Sequence, residues 1–195
     1  MSQFEIKQCD KSFFRPSQKD DMKYRKFILV TFEKRLKEVI DKDCTLCFHG
    51  TPIWNAKQII NSGNISSLID RIGPGEDVLP MPGQISVSTI NNLWFTVKYF
   101  ADLFNYNYPA GCIFVIKPQD EQEVKSSVEN NSINNVYFYK QPEQLVSIIT
   151  TPENITTVKN WIKDSKLNIS PEIVVDYEQF IEIAKSKYRP VLNTL

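Results

Sequence analysis

Residues 46–63 read LCFHGTPIWNAKQIINSG, and the rest of the chain is arranged around them. Their pattern predicts a short strand, a turn at Gly50-Thr51-Pro52 and a helix over 52–62. Proline is tolerated in a first helical turn because its missing N–H would find no partner there, and Gly63 stands where a helix stops. In an extended strand Thr45, Cys47 and His49 share one face, and Leu46 and Phe48 the other. His49 is the only histidine in the chain. It stands at the carboxyl end of the predicted strand, beside a glycine that lets a ligand approach the backbone. Two roles fit it: a polar residue capping a strand end, or a ligand contact.

Before this stretch, residues 19–42 carry Tyr24, Phe27, Ile28, Phe32, Leu36, Val39 and Ile40 at spacings of three and four. That period predicts a packing helix with its charged residues toward solvent. After it, 64–84 contains Gly73-Pro74-Gly75, Pro80, Pro82 and Gly83, so no regular element is expected. A loop of that length is either an insertion without fixed structure or a segment that folds over a ligand. In the second case Arg71 and backbone amides near Gly73 and Gly75 would meet a diphosphate.

A second strand is expected over 84–89, with Gln84, Ser86 and Ser88 on one face and Ile85, Val87 and Thr89 on the other. A helix over 91–104 follows, with Tyr99 either in its packing face or against a ligand. Residues 112–117, CIFVIK, are nearly all apolar and predict a central strand that Pro118 ends. Two more strands are expected over 136–139 and 145–150. One helix should start at Thr151-Pro152-Glu153, and a last one should run from Ser170 to about Lys187. The layout is α+β, a mostly antiparallel sheet with flanking helices. We expect one domain over 1–195: a packing helix at 19–42, a core at 44–150 and C-terminal helices at 151–195.

Composition limits the function classes. The chain has 195 residues, with 23 basic and 23 acidic side chains, so no field is built for nucleic acid or an anionic membrane. No apolar run reaches membrane length and the N-terminus does not read as a signal peptide. A cytosolic protein is expected, or one delivered into a host cytosol by another route. Cys44 and Cys47 form a single CxxC beside His49, without the second ligand pair that a structural zinc needs. No metal is expected.

The order FHGTP–helix, SxST–helix, QPE–strand resembles the ADP-ribosyltransferase superfamily over residues 44–150. The resemblance implies a split antiparallel sheet with flanking helices and NAD as substrate. It implies that His49, Gly50, Thr51, Ser88 or Thr89, and Tyr99 bind NAD. His49 would hold a ribose hydroxyl, the Gly50 backbone the nicotinamide carboxamide, and Tyr99 would stack on the nicotinamide ring. Glu143 would be the catalytic carboxylate and Gln141 the acceptor-recognising residue. Such members act as toxins or effectors on a protein acceptor, and a monomer is expected. Arginine-modifying members usually carry Arg in place of His49 and Glu in place of Gln141, so the acceptor stays open. The alternatives are a non-catalytic module of the same fold that binds a nucleotide or protein, transfer to a nucleic acid or small molecule, and an unrelated α+β fold.

Overall fold

The computed structural model describes residues 33–41, 44–63, 84–90, 93, 111–118, 135–138 and 145–188. Helix α1 (Glu33–Val39) leads to strand β1 (Cys47–Thr51) and helix α2 (Ile53–Ser62). Strands β2 (Gln84–Val87), β3 (Cys112–Ile116), β4 (Asn135–Phe138) and β5 (Leu145–Thr150) follow. The chain closes with helix α3 (Ile155–Asp164), strand β6 (Val174–Asp176) and helix α4 (Tyr177–Lys187). The class is α+β, as the sequence predicts.

Four strands form one sheet in the order β1-β3-β5-β6, and β2 pairs with β4 in a second, two-stranded sheet. β3 is antiparallel to both its neighbours, while β5 and β6 run parallel. All five residues of β3 are buried, which is why its sequence does not alternate. Its side chains still do. Ile113 and Val115 enter a core with Leu36 of α1, Leu46, Phe48, and Phe180 and Ile181 of α4. Cys112, Phe114 and Ile116 enter a second core with Cys47, with Ile53, Ala56 and Ile60 of α2, and with Val158 and Ile162 of α3. The four-stranded sheet is therefore covered on both faces, by α1 and α4 on one and by α2 and α3 on the other.

Two features of the Leu46–Gly63 stretch follow the sequence, and one differs. α2 runs from Ile53, with Pro52 at its N-cap, and closes at Gly63 in the left-handed region (φ 70°). The Gly63 N–H donates to the Ile59 carbonyl at 3.0 Å. The strand, however, does not turn at Gly50-Thr51. It continues to Thr51, with Gly50 opposite Ile113 and Thr51 opposite Cys112. His49 is thus the middle residue of β1 and not its end. The extension depends on Gly111, whose backbone lies against Thr51 and Pro52: a Cβ there would stand 1.8 Å from the Thr51 carbonyl oxygen. Close backbone approach of this kind keeps Thr51 against β3.

The C-terminal third contains one element that the sequence reading omits. The expected single helix from Ser170 is a 3-10 turn (Pro171–Ile173), then β6, then α4. Ser170 accepts from the Glu172 N–H and caps only the short turn. The helix itself is capped at Asp176, whose carboxylate accepts from the Gln179 N–H while the Gln179 side chain accepts from the Asp176 N–H. That reciprocal pair is a capping box. On the face that α1 and α4 share, Arg35 of α1 donates to both carboxylate oxygens of Glu178 on α4, at 2.7 and 2.9 Å. Its guanidinium also lies 5.5 Å from the centre of the Tyr177 ring.

Of the other expected elements, the segment 64–83 and most of the helix over 91–104 lie outside the described residues. So do the first half of the packing helix over 19–42 and the N-terminal eighteen residues. Within the described residues, no helix is long and apolar enough to cross a membrane.

Candidate functional site

β1 occupies an edge of the four-stranded sheet, and β2 meets it there at one point. Phe48 and Ser88 exchange backbone hydrogen bonds, each N–H donating to the other's carbonyl at 2.8 Å. This is an isolated antiparallel bridge. Among the described residues the ladder goes no further, and β2 is otherwise paired with β4. Among the described residues the two sheets are therefore joined by backbone hydrogen bonds at Phe48 and Ser88 alone. His49 is the next residue of β1 after the bridge.

Residues directly opposite in an antiparallel pair put their side chains on the same face. Ser88 therefore shares the face of Phe48, whose ring is fully buried against Phe180 at 6.5 Å between centres. Ser88 is itself 4 % exposed. Val87 and Thr89 take the opposite face. Val87 joins the core of Cys47 and Phe114, and Ile90 and Leu93 join that of Phe48. Thr89, half-buried, is thus the member of the Ser88-Thr89 pair on the face of His49. The sequence left that choice open, because strand alternation alone does not say which face of β2 meets which face of β1.

On its own sheet, His49 ends a row. It stands opposite Phe114, which stands opposite Ile148, which pairs with Val174. The other three are apolar and buried, and His49 is half-buried. Its imidazole lies 6.4 Å from the Phe114 ring, centre to centre, tilted by 46°. His49 is thus a polar, half-buried ring at the edge of an otherwise apolar, buried row.

Gly50 is half-buried and Thr51 is 4 % exposed, so of the predicted His49-Gly50-Thr51 contacts the first two reach the surface and Thr51 lies beneath it. Asn55, in the first turn of α2, has a side-chain oxygen that is buried without a hydrogen-bond partner. With no accessible surface, that oxygen is not open to a ligand arriving from solvent. Sequence reading did not single out Asn55, and no local signal marks it.

The expected site residues Tyr99, Gln141 and Glu143 lie outside the described residues. β5 begins at Leu145, two residues after Glu143. Its pairing with β3 shifts by one residue: Val115 faces Ser147, but Ile116 faces Leu145. Val146 packs with the Phe48 core while Leu145 packs with the Cys47 core. Through Ile116, Leu145 is level with Cys47. The shift thus puts the first residue of β5 on the face of His49, two residues back along the sheet.

The three described cysteines are packed into the cores. Cys44 packs against the Phe48 core and Cys47 sits in the other, on opposite faces of the sheet. Burial pushes the Cys47 and Cys112 thiols up to about 12, in spite of a Thr150 hydrogen bond that lowers the second. Both stay protonated at neutral pH, and a thiol binds metal or attacks carbon as its thiolate. Among the described residues no three His, Cys, Asp or Glu side chains are grouped to hold a metal ion.

A separate open groove of about 510 Å³ lies between α3, β6 and α4, lined by Glu172, Glu178, Glu182 and Lys159 around Val174 and Val175. Its charges are largely used internally. Lys159 donates to Glu172 at 2.7 Å and holds that carboxyl below its usual range. It is remote from His49, at the far edge of the sheet.

No family model matches this chain, and neither does any curated protein or solved structure.

Proposed function

We propose that this protein is a mono-ADP-ribosyltransferase that transfers ADP-ribose from NAD to a protein side chain and releases nicotinamide, on an ADP-ribosyltransferase-like split sheet. The Phe48–Ser88 bridge carries the proposal. Because the bridge is antiparallel, it brings His49, the residue after Phe48, next to Val87, the residue before Ser88, so that parts of two of the three motifs of the resemblance are neighbours.

In this proposal the polar row-end His49 hydrogen-bonds a ribose hydroxyl, and the Gly50 backbone holds the nicotinamide carboxamide. Thr89 adds a hydrogen bond on the same face, and Tyr99 stacks on the nicotinamide ring. The bond between C1′ of the ribose and nicotinamide breaks, and its electron pair leaves with nicotinamide. The acceptor's nucleophile forms the new bond to C1′ and gives up its proton. Positive charge builds on the ribose between these events, and the Glu143 carboxylate stabilises it. The proposal requires Glu143 on the face of His49. Leu145, the first residue of β5, is on that face through the register shift.

Radiolabelled NAD incubated with a cell lysate, wild type beside Glu143→Gln, tests the proposal. Labelled protein bands that need Glu143 support it. Labelled nucleic acid or free ADP-ribose alone would replace the acceptor. NAD binding without turnover would leave a binding module, and no binding would remove NAD altogether.

The faces of β2 give a sharper expectation. Thr89→Ala should weaken NAD binding by about five-fold, the loss of one hydrogen bond. Ser88→Ala, on the buried opposite face, should lower the thermal midpoint and leave affinity nearly level. Calorimetry on both variants checks this, and the reverse order would put Ser88 in the site.

Gln141 precedes Glu143 by two residues and is proposed to face the acceptor. Its amide carries no charge, whereas an Arg acceptor would prefer a carboxylate that pairs with its guanidinium. Gln141→Glu should therefore change which side chain is modified, mapped by mass spectrometry, and leave NAD hydrolysis within a few-fold. A parallel fall in both activities would assign Gln141 to the NAD site or the fold.

A further inference from the structure

We propose that Phe114 is a positioning residue for His49: it is the wall that fixes the imidazole in the orientation the ligand meets. Phe114 stands directly opposite His49 in the β1–β3 ladder. Side chains so paired are each other's nearest neighbours across strands. The two rings lie 6.4 Å apart at 46°, within the range in which tilted aromatic pairs attract. What distinguishes Phe114 is its own burial. It is 1 % exposed, flanked by β1 and β5, and sits in one core with Ile53, Ala56 and Ile60 of α2 and Val158 and Ile162 of α3. The half-buried His49 gains from it one fixed side.

The NAD arm of the test rests on the proposed function, and the spectroscopic arm does not. His49 is the only histidine in the chain, so the imidazole gives a single, unambiguous set of NMR signals. Phe114→Leu and Phe114→Met remove the ring and keep the site apolar and of similar volume. Ile116→Val is the control: the same strand, the same core, opposite Cys47.

In both Phe114 variants the His49 ring protons should shift, through loss of the ring current, and their relaxation should show a freer ring. Ile116→Val should leave them in place. KM for NAD should rise on the order of ten-fold in the Phe114 variants, as for any displaced contact group, with kcat changing less. Unchanged His49 signals in either folded Phe114 variant overturn the proposal, as does an equal change in Ile116→Val. If wild type does not bind NAD the enzyme assignment falls, while the His49 signals still decide whether Phe114 fixes the ring.

Discussion

Glu143→Gln should abolish ADP-ribosyl transfer while leaving the protein folded and able to bind NAD. The carboxylate is assigned to charge that develops only as nicotinamide leaves, so its loss should appear in turnover and not in ground-state affinity. Removing one preorganised electrostatic group from such a site lowers kcat by about a hundred-fold or more. Gln keeps the shape and the hydrogen-bonding reach and removes the charge, which makes the substitution selective. NAD affinity should stay within a few-fold by calorimetry, and the thermal midpoint should be nearly unchanged. Turnover comparable to wild type would remove Glu143 from the mechanism. A collapse in stability would make it a structural residue.

Gly111→Ala should be the most destabilising single-methyl change among the described residues. An added Cβ would stand 1.8 Å from the Thr51 oxygen, 2.7 Å from its carbonyl carbon and 2.8 Å from the Pro52 Cα. All three are backbone atoms, so no rotamer change relieves the clash. The Gly111 carbonyl also accepts from the Thr150 hydroxyl at 3.1 Å, so the glycine is held from the β5 side as well. Overpacking of this kind costs about 3 kcal/mol, or roughly a 10 °C fall in midpoint for a chain of this size. The backbone displaced is that of Thr51 and Pro52, next to Gly50, so any ligand affinity of the site should fall too. Gly63→Ala is the comparison. There a Cβ meets only Leu167 Cδ2 at 3.5 Å, and the cost is the left-handed conformation, about 1 kcal/mol. If Gly63→Ala proved the worse of the two in thermal denaturation, Thr51 and Pro52 would not be pinned as described.

Some of this was legible in the chain because the physics is local. Period-two alternation put Leu46 and Phe48 on one face and Cys47 on the other, and the two cores divide them that way. The uninterrupted apolar run of β3 marked a strand with both faces covered, because a strand with a solvent face alternates. Pro52 and Gly63 bounded α2, since φ is fixed by the ring of one and the left-handed region is open to the other. The apolar positions of α3 were readable for the same reason: Val158 and Ile162 are buried, with Ile155 and Trp161 packed beside them.

Tertiary structure decided the rest. β6 is three residues long, too short to carry a period, and exists because Val174-Val175-Asp176 pairs with β5. Once it forms, the helix cap moves from Ser170 to Asp176. His49 is mid-strand because Gly111 draws Thr51 against β3, a contact between residues far apart in the sequence. The register shift in β5 reverses the faces of its first residues, which alternation within one strand cannot reveal. Which of Ser88 and Thr89 faces His49 was settled by two backbone hydrogen bonds to Phe48. The sequence by itself determined which residues could form strands, helices and caps, because those preferences act over a few neighbouring residues. Register and facing were decided only in three dimensions, because they depend on which backbone groups find each other across the fold.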